Sequence, residues 1–201
     1  EPDHAGSIAR LVELYPQGNY VIAGGDDSAA VARLMTEGYH EVIDGIEGIK
    51  VVSEQFNASW SSESALKQAE GALLANSDNI AAVLSNNDIM AVGIIQALET
   101  AGIAGKVGVS GQDCETAALR MINEGKMSFT AFTEFSQMGK DAITLADAII
   151  NGKEIHTTTI DNGSGKEIPW IPTEVIYVNK DNLEQFIEDH SWWVTKEEVF
   201  N

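Results

Sequence analysis

At 201 residues and 44% hydrophobic, the chain carries enough apolar material for one large domain, or one and a half small ones, around a real core. Lys plus Arg number 12 against 31 Asp plus Glu, a net charge of −19 with no basic cluster to offset it; such a surface repels phosphate backbones and argues against nucleic acid as a partner. Cys114 is the single cysteine, so no intrachain disulfide forms, and no run of 18 apolar residues is present to span a membrane.

The opening Glu1-Pro2-Asp3-His4 is not a signal peptide. Ser7 to Tyr15 follows as an amphipathic helix with Ile8, Leu11, Val12 and Tyr15 on one face, broken by Pro16-Gln17-Gly18. Tyr20 to Ala23 is a first buried strand ending in Gly24-Gly25-Asp26-Asp27. Ser28 is placed to cap the helix from Ala29 to Glu37, which Gly38 ends. Ile49 to Phe56 is a second strand with Asn57-Ala58-Ser59-Trp60 at its tip, and Ser61 or Ser62 caps the helix running through Ala75. Ile80 to Leu84 is a continuous apolar run, the pattern of a strand buried on both faces, and it hands over through Asn86-Asn87-Asp88 to a helix that stops at Gly102. Lys106 to Ser110 is a fourth strand ending in Gly111-Gln112-Asp113, with a short helix from Glu115 to Asn123. Ser128 to Thr133 is a fifth, with a helix from Ser136 to Ile150 closed by Asn151-Gly152. Beyond it the alternation lapses. His156 to Ile160 reads as extended, Asp161 to Pro172 as a Gly- and Pro-rich loop, Glu174 to Val178 as a last strand, and Leu183 to Glu188 as an acidic helix before a tail with Trp192 and Trp193.

Five βα units in succession imply an α/β fold with a doubly wound parallel sheet. Parallel alignment delivers the strand C-ends to one edge, where open α/β sheets bind ligands. That edge carries Asp26, Asp27, Trp60, Asn87, Asp88, Gln112, Asp113 and the Phe132 region. Carboxylates and amides beside a tryptophan suit a sugar: the polar groups bond hydroxyls, and the ring stacks on the C–H face of a pyranose. Packing under a loop is the ordinary alternative for Trp60, and helix N-capping for Asp88 and Asp113, although capping and ligand binding are compatible at a strand–helix junction.

Catalytic chemistry has less support. His4, His40, His156 and His190 all fall away from the strand tips and read as solvated surface residues. Cys114 has no histidine or lysine near it in sequence to lower its pKa and reads as a buried residue at a helix start. Gly24-Gly25-Asp26-Asp27 lacks dinucleotide spacing and a Gly-Lys-Ser/Thr, so no cofactor is expected, and Asp161-Asn162-Gly163-Ser164-Gly165 fails the EF-hand spacing. Asp26, Asp27, Asp88 and Asp113 offer the hard oxygens Mg²⁺ takes, which keeps a Mg²⁺-dependent α/β enzyme as an alternative.

Three stretches carry a more specific signal: Tyr15-Pro16-Gln17-Gly18-Asn19-Tyr20, Ser85-Asn86-Asn87-Asp88, and Gly105 to Asp113 with its Ser110-Gly111-Gln112-Asp113 run. With Asn179-Lys180-Asp181-Asn182, they resemble the bacterial periplasmic sugar-binding proteins of the type I solute-binding fold. The resemblance implies a monosaccharide, D-xylose or a similar pentose, held between two hinged lobes without turnover. It implies delivery to the permease of an ABC transporter or presentation to a sensor histidine kinase, at the periplasmic or extracellular face of the membrane. Carried over, Trp60 stacks on the sugar, Asn87 and Asp113 bond its hydroxyls, and Asp26 to Ala29 form another ligand-facing loop. One departure stands out. A lysine follows the aromatic residue of the fifth strand in the relatives of this kind, whereas Thr133 and Glu134 follow Phe132 here. The ligand core of a LacI-type regulator shares the fold, but its basic helix-turn-helix has no counterpart in this acidic chain.

The resemblance also implies a division: 1–126 as a carboxy-terminal-type lobe, 127–160 as a strand and helix that cross to an amino-terminal lobe missing from this chain, and 161–201 as a return segment and tail. On that reading Ser128 to Thr133 lacks sheet neighbours. The following helix exposes Ile143, Leu145, Ala148 and Ile149 until the second lobe covers them.

Overall fold

The computed structural model describes residues 2–154, 157–161 and 164–201, with side chains from Ile8 onward. Helix α1 (Pro2–Leu14) precedes five strands: β1 (Gly18–Gly24), β2 (Ile49–Phe56), β3 (Ala82–Ser85), β4 (Gly108–Gln112) and β5 (Phe129–Thr133). Between them run α2 (Ala30–Ile43), α3 (Ser62–Ala75), α4 (Asp88–Thr100) and α5 (Thr116–Asn123), and α6 (Phe135–Asn151) follows. The remainder is β6 (Thr158–Asp161), β7 (Glu167–Trp170), β8 (Val175–Asn179), α7 (Leu183–Asp189) and α8 (Lys196–Phe200). The sheet order is β2-β1-β3-β4-β5-β8, with β1 parallel to β2 and β3, β3 to β4, and β4 to β5.

This order places β1 between β2 and β3, so the chain reverses its direction of travel across the sheet at β1 and β3. A crevice opens at the C-ends of strands at such a switch point. The sheet is buried because Tyr20, Ile22, Ala82 and Leu84 on one face pack with Ile8, Leu11, Met35, Tyr39 and Ile43 from α1 and α2. Each large aliphatic side chain buried there contributes about 1.5–3 kcal/mol. α3 and α4 pack closely enough that a Cβ built on Gly93 would lie 2.2 Å from the Ser62 carbonyl oxygen.

The chain divides into two compact units, Glu1–Phe132 with Tyr177–Asn201, and Thr133–Ile176. Within the second, α6 ends on a left-handed Gly152, and β6 pairs antiparallel with β7, from Thr158 opposite Trp170 to Asp161 opposite Glu167. Residues 161–172, expected as loop, therefore contain a strand. Ser128 to Thr133 does not lack neighbours either: β5 sits between β4 and β8, and Phe129 to Phe132 are buried. On α6, Ile143 and Ile149 are exposed as expected, joined by Ile150, but Leu145 is half-buried and Ala148 buried.

Two histidines differ from expectation. His190 is buried and donates from Nδ1 to the Phe186 carbonyl (2.9 Å), its ring stacked on Phe186. His40 is half-buried between Asp44 (3.0 Å) and Glu54 (2.9 Å) and ties α2 to β2. The His4 side chain, together with His156, Asn162 and Gly163, lies outside the described residues. Among the described residues no helix is long and apolar enough to cross a membrane.

Candidate functional site

The site grows from the end of β1. The Gly25 N–H crosses to β3's tip and donates to Asn86 Oδ1 (2.9 Å), which ties the two strand ends together at the switch point. Gly25 has no room for a side chain, since a Cβ there would lie 2.3–2.5 Å from the ring of Trp60. Trp60 ends a single 3-10 turn, Ala58–Trp60, in which Ser59 and Trp60 have φ of 57° and 55°. Left-handed backbone is costly for residues with a Cβ and persists only where surroundings impose it.

Two carboxylate and amide clamps impose it here. Asp26 Oδ2 accepts the Ser59 N–H (2.6 Å), while its Oδ1 accepts the N–H (2.9 Å) and hydroxyl (2.6 Å) of Ser28. These bonds, the Ser28 hydroxyl first among them, hold the Asp26 carboxyl below its ordinary pKa. Ser28 is thus committed to Asp26 rather than capping α2, whose N-cap is Ala29 with no side-chain bond. Beneath the turn, Asn57 is fully buried: Nδ2 donates to the Gly24 carbonyl (3.1 Å) and to Gln68 Oε1 (3.1 Å), and Oδ1 accepts from Ser64 Oγ (2.7 Å) and Gln55 Nε2 (3.0 Å).

At β3's tip, Asn87 is the N-cap of α4 and accepts the Met90 N–H at Oδ1 (3.0 Å), which leaves its Nδ2 group free of that duty. At β4's tip, Gln112 and Asp113 complete a cleft of about 310 Å³ lined by Val31, Met35, Trp60, Asn86, Asn87, Gln112 and Asp113. Asp113 is the one ionisable group among the described residues of that lining. Burial first, and the nearby Glu115 carboxylate second, push it up to about 6. Gln112 Oε1 is buried without a hydrogen-bond partner, whereas the Asn86 side chain reaches the hydroxyl of Tyr39. The cleft therefore presents an unused acceptor, two amide side chains, a titratable carboxylate and an aromatic ring, with no cationic side chain among its described lining residues. That set matches a neutral polyhydroxylated ligand with an apolar face.

The structure brings four of the expected residues together, Trp60, Asn87, Gln112 and Asp113. Asp27 is exposed at the tip of β1, outside the cleft lining. Asp88 and Phe132, also expected at the ligand, are completely buried and are not among the residues lining the cleft. Asp88 Oδ1 accepts from Thr130 Oγ1 (2.7 Å) and Oδ2 from the Glu115 N–H (2.8 Å), which secures the start of α5; burial drives its pKa well up. A Cβ on Gly111 would lie 2.2 Å from Asp88 Oδ1. Phe132 centres an aromatic cluster with Phe186 and His190, both at 5.2 Å, and Trp193 at 5.6 Å.

Asn86 belongs to the amide run at the β3 tip that the sequence marks, without a ligand role assigned to it; two further lining residues, Val31 and Met35, carry no such mark. Val31 and Met35 are four apart on α2, a spacing that identifies a shared face but not what the face meets. Cys114 is fully buried, and burial raises its thiol pKa well above the ordinary value. Among the described residues, no three His, Cys, Asp or Glu side chains gather in an arrangement that could hold a metal ion, and the four aspartates weighed for Mg²⁺ are separately engaged or apart.

With this geometry in view, the relatives are informative. The sequence matches the family described as periplasmic binding protein domain over residues 7–154. It is 36% identical over 180 residues to the D-xylose-binding periplasmic protein of Escherichia coli, covering 88% of this chain and 54% of that protein. To the D-xylose-binding periplasmic protein of Haemophilus influenzae it is 33% identical over 194 residues, 95% of this chain and 58% of that one. Among solved structures, a periplasmic solute-binding protein of an ABC transporter from Actinobacillus succinogenes, with bound D-allose, superposes with a TM-score of 0.76 at 28% identity, covering 90% of this chain and 60% of the other. The chain spans little more than half the length of the curated relatives it matches. The open parallel sheet is that of the type I sugar-binding proteins, and the chain belongs to the periplasmic binding protein domain family.

Proposed function

We propose that this chain forms one wall of a monosaccharide-binding cleft in a periplasmic solute-binding protein, and that it holds a neutral sugar, D-xylose or a similar pentose, without turning it over. The observation that carries this reading is the cleft of about 310 Å³ in which Trp60 meets Asn86, Asn87, Gln112 and Asp113, with no cation among the described lining residues. Gln112 Oε1, buried and unpartnered, is where a sugar hydroxyl restores a missing hydrogen bond. Asp113 accepts a further hydroxyl as a charge-assisted bond when ionised. The names of the relatives, D-xylose-binding, D-apiose import binding and ribose import binding, support a sugar and an importer as the setting. In that setting the partner is the permease of an ABC transporter. Absence of turnover is supported by the relatives, whose names are those of binding proteins.

The opposite wall is a second lobe, from a longer polypeptide or a partner chain. The length of the relatives supports this, as do the exposed Ile143, Ile149 and Ile150 of α6. Calorimetric titration of the full-length protein with a panel of neutral pentoses and hexoses tests the function. The expected result is one-to-one binding of at least one pentose, unchanged by chelation of divalent ions. Failure of every monosaccharide to bind, or consumption of one, sinks the reading.

A further inference from the structure

We propose that Trp193, in the segment after α7, is a positioning residue of the sugar site: its indole N–H holds the Asp113–Cys114 turn in the conformation that places Asp113 in the cleft. The proposal rests on the sugar reading above and adds to it a dependence on the carboxy-terminal tail.

Asp113 and Cys114 have φ of 103° and 54°, both in the region that residues with a side chain rarely adopt. Two such residues in succession revert to relaxed backbone unless the turn is fixed from several directions. The amide side of the turn is fixed from β5 and from the β3–α4 junction. Asp113 N–H donates to the Ala131 carbonyl (2.8 Å), Cys114 N–H to Thr130 Oγ1 (3.3 Å), and Glu115 N–H to Asp88 Oδ2 (2.8 Å). The carbonyl side is fixed from elsewhere: Trp193 Nε1 donates to the Cys114 carbonyl oxygen at 2.9 Å, across 79 residues of sequence.

Cys114 is completely buried, so water does not readily replace that donor. The Trp193 ring is seated independently of the bond, 5.6 Å from Phe132 and 5.9 Å from Trp192. Removing the N–H while keeping a ring therefore isolates the clamp from the packing. With the carbonyl unpaired, the turn relaxes, and Asp113 leaves the place it shares with Trp60, Asn87 and Gln112.

The test is Trp193→Phe in the full-length protein, with D-xylose as the probe. The expected result is roughly five-fold weaker binding, the worth of one net hydrogen bond. In an Asp113→Ala background the same substitution changes affinity no further, because the group it positions is gone. Equal losses with and without the Asp113 carboxylate, or no loss at all, overturn the proposal. A readout in the sugar-free protein separates this from the sugar reading: the Asp113 carboxyl titration, followed by NMR, moves down toward the ordinary aspartate range in Trp193→Phe as the freed side chain hydrates. An unmoved titration overturns the clamp even if D-xylose binds. If D-xylose does not bind the unsubstituted protein while the titration moves, the clamp stands and the sugar reading falls. Should the phenyl ring fill the site too poorly to fold, 3-benzothienylalanine at position 193 keeps the bicyclic bulk without an N–H and is expected to give the same pattern.

Discussion

At the scale of single residues, the cleft depends on positions where neighbouring side chains have opposite duties. Gly25 lies against the Trp60 ring, and Gly25→Ala forces a Cβ into space that the ring occupies at 2.3 Å. The expected outcome is a displaced Trp60 and a sugar affinity close to that of Trp60→Ala. Both fall by about 10- to 100-fold, because losing a stacked aromatic face costs on the order of 1–3 kcal/mol. Calorimetry on the two variants, with thermal melts to confirm folding, checks this. Asp113 carries a second, opposed pair of duties. Its folded pKa, about 6, is raised above the ordinary 3.8. The stability it contributes is therefore full below about pH 4 and lost as pH rises through 6, since the ionised form is held in a partly buried site beside Glu115. His40, raised first of all by Asp44, acts in the same direction: its contribution is lost as pH climbs through its raised pKa. Sugar binding runs the other way, because the ionised carboxylate is the better hydroxyl acceptor. Asp113→Asn is expected to raise the melting temperature at pH 7.5 by about 2–4 °C per kcal/mol relieved, to flatten the change in stability between pH 5 and 7, and to weaken sugar binding. A fall in melting temperature at pH 7.5 would refute the assigned strain.

At the scale of elements, the strands and the site were legible to different depths. β2 was readable to the residue, Ile49–Phe56, and the buried runs of β1, β3, β4 and β5 within two residues at each end, because a continuous apolar stretch between polar tips has few other uses. The parallel order followed from the alternation with helices, and it delivered Trp60, Asn87, Gln112 and Asp113 to one cleft. What sequence could not resolve was direction at the tips. Asn87 and Asp88 are adjacent, yet one lines the cleft while the other is sunk beneath it on Thr130 and Glu115. The sequence places Phe132 at the ligand-facing edge, but β5 turns its ring into the cluster around Phe186 and His190. β7 was missed because Glu167–Trp170 contains Pro169 and is mostly exposed, lacking any apolar alternation. α8 did have a signal, the Thr195 and Glu198 capping box, in a helix only five residues long. The α3–α4 contact gives an element-scale prediction. Gly93→Ala puts a Cβ 2.2 Å from the backbone oxygen of Ser62, which no rotamer change relieves. It should destabilise the protein by about 1–3 kcal/mol, read as a lower urea midpoint at unchanged slope.

At the scale of the whole molecule, two long-range terms compete: a net charge of −19 and an apolar helix face without cover. Ile143, Ile149 and Ile150 on α6 are 74%, 70% and 81% exposed, far more than an isolated surface isoleucine needs explaining. Each contributes about 1.5–3 kcal/mol when covered, so copies of this 201-residue chain have an incentive to associate through α6. The acidic surface opposes that association over a distance set by the Debye length, about 30 Å at 0.01 M salt and 8 Å at 0.15 M. The two terms respond oppositely to salt, which makes their balance measurable. The 201-residue polypeptide is expected to sediment as a monomer at low ionic strength and to self-associate as salt is raised. Replacing Ile143 and Ile150 with lysine should abolish the association by removing apolar area from that face. If association is instead strongest at low salt, charge pairing rather than the α6 face drives it. If the polypeptide stays monomeric at every salt concentration, α6 has no need of cover, and the second lobe loses its main physical support.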